Sequence, residues 1–585
     1  MKTKLIAIIF IFALALQMTA CNEKDFGLQE PEYELSTDLK AGNVVMRVIA
    51  EGAALQGANG IIFGPDGNLY IASVVGREII VMNKQNGKII NRFGPDHSVD
   101  VPDDLIFGPD GSLYWTELLI GKVGRMTPDG QVTKQFLGPG ANPITFSPDG
   151  RLFVGLCFLG DGLYELDPEL NNPPRPIIEA TPENPLPLGF LNAFDFGPDG
   201  RLYGPVFALG KVVSVDVGVP GDLPSTDPWN DETIQVVATG FTDPVAAKFA
   251  PNGLLIVVDQ TGEVFSVNHQ TGDKNLITIL EDGLDNLAFD SRGRMYISNA
   301  DHGWIAQMLP SGQARTISQG GMIWPQGLAV LQGPDGRDVV FVADLFRLRT
   351  FNGQTGKTGV NYKGHLVQSP GENALTTPFT VSADGENMVI SSYFASAVQV
   401  WNPETDEVLD HYDMPVPLNA IRFQDDIVVA DLGLGGVVWA SDFSMILPMN
   451  ETNVFLPNGL ATDGEILWVS DWASGIVWQI GFDGKTPLAP DPLASDLSNP
   501  EGLAVDINGS LLVVEAGAGR LSRIDPTTGA VQIVVEGLEL GAPGPLGYPP
   551  IWGFNGVAVG SSGAIYITGD VANVLYRIWP RVDLK

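Results

Sequence analysis

A strand–turn–strand phrase recurs twelve times along this chain, and the recurrence limits the fold more than any other feature. Clear copies read Asn59-Gly-Ile-Ile-Phe-Gly-Pro-Asp-Gly-Asn-Leu-Tyr, Asp104-Leu-Ile-Phe-Gly-Pro-Asp-Gly-Ser-Leu-Tyr and Asn192-Ala-Phe-Asp-Phe-Gly-Pro-Asp-Gly-Arg-Leu-Tyr. Each is followed by further short apolar runs, such as Leu69 to Ser73, Glu78 to Met82 and Lys88 to Phe93. Units of roughly 40–50 residues with several strands each are the mark of propeller blades. The Pro-Asp-Gly segments supply a proline-set φ and a glycine for positive φ, so they read as structural turns.

Propellers usually have four to eight blades, so twelve units divide most naturally into two rings. The expected fold is all-β, a tandem of two six-bladed propellers spanning residues 42–311 and 312–585. Ring closure needs one strand from each ring's start. Val44 to Ile49 is expected to complete the sixth blade of the first ring, and Ala314 to Ser318 to close the second.

The 69 glycines and 43 prolines among 585 residues recur at turns, which suits many short hairpins. A formal charge of −36 excludes a basic nucleic-acid footprint and adsorption to anionic lipid. Lys2 and Lys4 precede an apolar run, Leu5 to Leu16, that is too short to span a bilayer. With Met18-Thr19-Ala20-Cys21 behind it, the segment resembles a bacterial lipoprotein signal, with residues 1–20 removed and Cys21 lipidated. Ordinary secretion is the other reading. Residues 21–41 would be a flexible tether, and the protein would sit in the cell envelope, held to membrane only by its lipid. Cys157 lies in an apolar run and reads as a small buried hydrophobe.

The first strand of each blade lines the channel, so its opening residue is a candidate for chemistry. The first ring offers Asn59, Asp103, Asn142, Asn192, Val245 and Asp285. The second offers Gln326, Thr377, Asn419, Asn458, Glu501 and Asn555. All but Val245 bear side-chain oxygen, which suits Ca²⁺ or another hard divalent cation, and equally a water-filled channel with polar walls. Hairpins on the same face bring Phe346-Arg347, Tyr393-Phe394, Asp471-Trp472, Glu515 and Asp570 to a possible ligand rim, unless the aromatics pack between blades. Loops at 181–190, 365–376 and 539–554 are expected to overhang it. His302 reads as a hairpin residue, and the Asp259 and Asp471 turns as caps of their own hairpins. Neither a G-x-S-x-G elbow nor a P-loop is present.

Pro457-Asn-Gly-Leu-Ala and Pro500-Glu-Gly-Leu-Ala resemble motifs of the SMP-30/gluconolactonase/luciferin-regenerating propellers, a six-bladed, TolB-like group. Leu467-Trp-Val-Ser-Asp and Val340-Phe-Val-Ala-Asp resemble NHL repeats. The resemblance implies a channel metal held at Gln326, Asn458 and Glu501, with Asn419 assisting substrate and Glu501 as base of a lactonase-type hydrolase. Gln326 stands where the family has Glu, and Glu501 where it has Asp. Two functions stay open. One is binding of a small molecule, glycan or protein on the loop face without turnover; the other is metal-dependent lactone opening in the second ring.

Overall fold

The computed structural model describes residues 44–366, 373–450, 453–545 and 553–580. The segment read as a lipoprotein signal, Cys21, the expected tether and parts of the expected 365–376 and 539–554 loops lie outside the described residues. Within them the chain forms twelve four-stranded antiparallel sheets and one two-stranded hairpin, Phe482–Asp483 with Thr486–Pro487. No helix among the described residues is long and apolar enough to cross a membrane.

The sequence explains the hairpins directly. At the first Pro-Asp-Gly turn Asp66 accepts the Asn68 backbone N–H at 3.1 Å, and Gly67 takes φ +76°. The local Asx bond and the unhindered glycine fix the turn, and strand alternation follows from it.

Two compact units result: a continuous one, Ala53–Ile323, and a discontinuous one that joins the described residues 44–52 with those from Trp324 onward. Six four-stranded sheets fall in each. In the continuous unit the innermost strands touch in a closed cycle, since Ile61–Phe63 meets both Pro102–Phe107 and Leu284–Phe289. In the discontinuous unit Leu328–Gln332 likewise meets Thr380–Asp384 and Val557–Val559. Apolar layers fill the gaps between sheets. One holds Phe423, Trp439, Leu460, Val469 and Trp478, all buried. Truncating such an aromatic costs about 3–5 kcal/mol.

The expected ring closure is corrected. Val44–Glu51 pairs with Val574–Pro580, from Val44 opposite Pro580 to Glu51 opposite Val574, and so completes the last sheet of the discontinuous unit. Ala314–Ser318 stays with Ile305–Met308 in the continuous unit. The expected boundary near residue 311 therefore moves to 323, and residues 44–52 change units. Loop closure explains the outcome. Ala314–Ser318 pairs through a tight turn with the strand just before it, at low entropic cost. The last sheet has only three strands of its own, and the N-terminal strand is what remains to cover its edge.

Candidate functional site

The inner strands of most sheets begin with a β-bulge. Pro500 opposes Glu515 and Leu503 opposes Val513, so Glu501 and Gly502 occupy the bulge. Asn458 has the same place between Pro457, opposite Asp471, and Gly459, opposite Ser470. A bulge bends the strand and re-aims one side chain. The next residue then runs against the neighbouring inner strand. A Cβ on Gly459 would lie 2.0 Å from the Glu501 carbonyl oxygen, and one on Gly556 would lie 2.5 Å from the Leu328 nitrogen. The glycine of the Asn-Gly-Leu-Ala and Glu-Gly-Leu-Ala motifs is thus required by the spacing between strands, independently of any chemistry.

Register assigns the equivalent positions. In the continuous unit they are Asn59, Asp103, Asn142, Asn192, Val245 and Asp285, as expected. In the discontinuous unit Gln326, Asn458, Glu501 and Asn555 also hold them. Two expected residues do not. Asn419 opposes Ala430, the place of Gly459, so Leu418 occupies the channel register. The Phe379 N–H donates to the Ser391 carbonyl at 2.8 Å, just as the Gln326 N–H donates to Ala343 at 2.9 Å, so Phe379 replaces Thr377. Thr377 instead shares a 2.9 Å hydroxyl contact with Ser392, and Asn419 Oδ1 accepts from Thr380 at 3.3 Å.

Following the inner-strand contacts, Asn458, Glu501, Asn555 and Gln326 stand on four consecutive sheets, and Phe379 and Leu418 on the other two. The channel register is polar over one arc and apolar over the remainder.

The polar arc is under-satisfied. Gln326, Asn458 and Glu501 are 1%, 2% and 0% exposed. Among the described residues, both amide atoms of Gln326, Nδ2 of Asn458 and Oε1 of Glu501 are buried without a hydrogen-bond partner. The other oxygen of Glu501 accepts the Asn555 N–H at 2.6 Å and its Nδ2 at 2.8 Å. Asn555 Oδ1 in turn accepts the Asp570 N–H at 3.0 Å. Burial pushes the Glu501 carboxyl well above the usual carboxylate range, and the nearby Asp570 charge adds to this. Donation from Asn555 works against it, as does the Trp472 indole, which leans on the carboxylate without reaching hydrogen-bond geometry.

The fit to a cation can be tested on these atoms. Ser470 Oγ lies 2.6 Å from the Glu501 carbonyl and 3.1 Å from Asn458 Oδ1, and it also accepts the Gly459 N–H at 2.9 Å. One hydroxyl proton cannot serve both oxygens. Donated along the shorter contact, it leaves Ser470 to accept from the Asn458 amide, which then turns its oxygen outward. Glu501 Oε1, Gln326 Oε1 and that amide oxygen give three donors and one charge. Ca²⁺ takes six to eight oxygens. Phe379 and Leu418 add none, so the protein fits a hard cation only in part. No group of three or more His, Cys, Asp or Glu placed to hold a metal occurs among the described residues.

The rim is also revised. Asp471 is fully buried and accepts the Phe455 and Leu456 N–H groups at 2.7 and 2.9 Å and that of Ala473 at 3.1 Å. The Ala473 bond caps its own hairpin, as read from the sequence, while the Phe455 and Leu456 bonds tie in the preceding loop. Asp570 accepts the Gly541 and Ala542 N–H groups at 2.9 and 2.8 Å. Glu515 pairs with Arg520 at 2.8 Å, and Arg347 is buried. Phe346, Tyr393, Phe394 and Trp472 keep partial exposure. Tyr393 packs edge-on to Phe379 at 4.5 Å and beside Phe394 at 4.0 Å, and Phe379 reaches Phe554 at 6.0 Å and Trp324 at 6.4 Å. Phe379, Leu418, Trp324 and Phe554 were missed in the sequence. Reading Phe379 as the residue just before the strand's Thr-Val-Ser alternation would have found it.

The continuous unit has an acidic channel. Burial and the charge of Asp104 push Asp103 up to about 7. Asp285 rises well above its usual value through burial, then through Asp103 and Asp104, with Lys248 opposing. Asp104 is held by the Ile144 N–H at 3.2 Å and Asn286 Nδ2 at 3.3 Å, and Asn142 Nδ2 donates to Asn192 Oδ1 at 3.2 Å. Burial raises the Cys157 thiol, which keeps it protonated and inert.

Closed cycles of four-stranded antiparallel sheets with their inner strands lining a channel define a multi-bladed β-propeller. No protein-family description matches the sequence, and neither does any curated protein. Among solved structures, a streptogramin B lyase is 16% identical with a TM-score of 0.35, over 52% of this chain and 95% of its own. A provisionally assigned gluconolactonase is 16% identical with a TM-score of 0.35, over 48% and 96%. The extracellular domain of a provisionally assigned one-component system from B. thetaiotaomicron is 12% identical with a TM-score of 0.31, over 92% and 78%. Similarity this low says nothing of ligand or activity.

Proposed function

We propose that this protein is an extracytoplasmic propeller that binds a small ligand in the channel of its discontinuous unit, without turnover. One observation carries the reading. Three nearly fully buried side chains at equivalent channel positions, Gln326, Asn458 and Glu501, hold polar atoms without partners among the described residues. Each such atom costs about 1–3 kcal/mol unless something meets it. A ligand that hydrogen-bonds to the arc would recover that free energy on binding. The lipoprotein-like leader, with lipidation at Cys21, belongs to this proposal, as does placement in the cell envelope.

A second reading rests on Ser470. If Asn458 turns its amide oxygen outward, three oxygens could hold a divalent cation, which would supply electrophilic activation of a lactone carbonyl. Asn458 and Gln326 would then orient the bound group, and Glu501 would be the base. Glu501 must be ionised for that role, and its burial opposes ionisation.

The two separate in one assay. δ-Gluconolactone opening is followed with and without calcium, in the wild type and in Glu501→Gln. The binding reading expects opening at the buffer rate throughout. Calcium-dependent opening lost in Glu501→Gln would replace it with the hydrolase.

A further inference from the structure

The arc and the aromatic cluster are joined through one segment. Glu501 is bonded to Asn555, and the residue before Asn555 is Phe554, whose ring lies 6.0 Å from Phe379. A Cβ on Gly553 would lie 2.3 Å from Gln326 Nε2, so the same short segment, Gly553–Asn555, touches Gln326, Glu501 and the aromatic cluster. On the remaining channel positions, Phe379 and Leu418 are buried and apolar. Phe379 meets Tyr393 at 4.5 Å, and the Trp324 ring packs 6.2 Å from Phe394.

This division selects a ligand chemistry. A sugar presents hydroxyls on every edge and would bury several against Phe379 and Leu418 without partners. A carboxylate or phosphate would bring into this buried arc a charge that nothing there neutralises, whether Glu501 is ionised or protonated. No Lys, Arg or His makes an ion pair with Glu501 among the described residues. A group that carries N–H donors and a positive charge at one end can complete the Glu501 Oε1 valence and accept help from Gln326 Oε1. A flat apolar group at its other end matches the aromatic wall, where edge-on and offset ring contacts contribute about 0.5–1.5 kcal/mol beyond area.

We infer that the channel of the discontinuous unit takes an arylalkyl ammonium compound, with its ammonium on Glu501 and the Gln326 amide and its ring against Phe379. The inference rests on the reading of Gln326, Asn458 and Glu501 as a ligand site. It names the class of ligand and separates this site from one built for a hard cation or a lactone. Burial that disfavours the Glu501 carboxylate in the free protein is the cost that an ammonium offsets, because it provides the counter-charge inside the channel.

The test is titration calorimetry of the protein with three probes: phenethylamine, 2-phenylethanol and calcium chloride. Phenethylamine is expected to bind saturably at one site. The alcohol, alike in shape but uncharged, should bind at least tenfold more weakly. Glu501→Gln and Phe379→Ala should each weaken the amine at least tenfold, with near-ultraviolet circular dichroism as the check on folding. The amine–alcohol comparison on wild type stands even if a variant fails to fold. Equal binding of amine and alcohol overturns the role of the charge, and hence the inference. Calcium binding without amine binding overturns the inference and leaves the polar arc as a ligand site. Binding of neither probe nor calcium overturns both the inference and the reading beneath it.

Discussion

Glu501 shows how one side chain can be structurally anchored and chemically open. One carboxylate oxygen is tied to Asn555 by two bonds of 2.6 and 2.8 Å, and the other is buried with no hydrogen-bond partner among the described residues. Gln326 is simpler, since neither amide atom of its side chain is met among the described residues. If these groups are kept for a ligand, removing their polarity should stabilise the free protein. Gln326→Met is expected to raise stability by about 1 kcal/mol, seen as a higher denaturant midpoint at unchanged slope. A midpoint lowered by as much would mean that the amide is satisfied in the folded protein. The same logic runs in reverse for Asp471, which receives N–H groups from two loops. Asp471→Ala leaves those donors buried and should cost about 1–3 kcal/mol. An unchanged midpoint would return Asp471 to the ligand rim.

At the scale of strands, the N-terminal strand is the element that ties the discontinuous unit shut. Gly356, with φ +68°, faces it so closely that a Cβ would lie 1.6 Å from the Ile49 carbonyl oxygen. Gly356→Ala should therefore push Val44–Glu51 off the sheet edge. Limited proteolysis is expected to cut the discontinuous unit first and leave a resistant fragment near residues 53–323. Cleavage that begins in the continuous unit would contradict the closure. The repeat, the hairpins and the channel register of ten sheets were readable from sequence, because turn residues and two-residue alternation are local signals. The strand partner of Val44–Glu51 was not, because pairing across more than five hundred residues leaves no local mark. Thr377 and Asn419 misled for a related reason. Their strands lack the glycine that follows the channel position in the other four sheets of the discontinuous unit, with Thr380 and Asn419 standing in its place. A one-residue slip exchanges a channel residue for its neighbour.

For the whole molecule, charge and burial act together. Burial raises Asp103 to about 7, and Asp161 and Asp431 to about 6. The folded chain holds these protons more tightly than the unfolded chain does. The associated stability is present below the usual carboxylate value, near 4, and is lost as pH rises through 6 and 7. Asp110 and Asp290, held at about 2, act oppositely, but they lose their contribution only as pH falls below 4. Repulsion within a chain of formal charge −36 grows in the same direction as the first group. Thermal stability should therefore be higher at pH 5 than at pH 8, and Asp103→Asn should flatten the slope. A midpoint that rises towards pH 8 would show that other groups dominate.

The central claim is that an acid-and-amide arc opposite an aromatic wall binds a ligand. A crystal structure of the protein grown with phenethylamine tests it most directly. The account predicts density for the amine with its nitrogen within hydrogen-bond reach of Glu501 Oε1 and its ring against Phe379. Density only elsewhere, such as between Asp103 and Asp285 in the continuous unit, would contradict it.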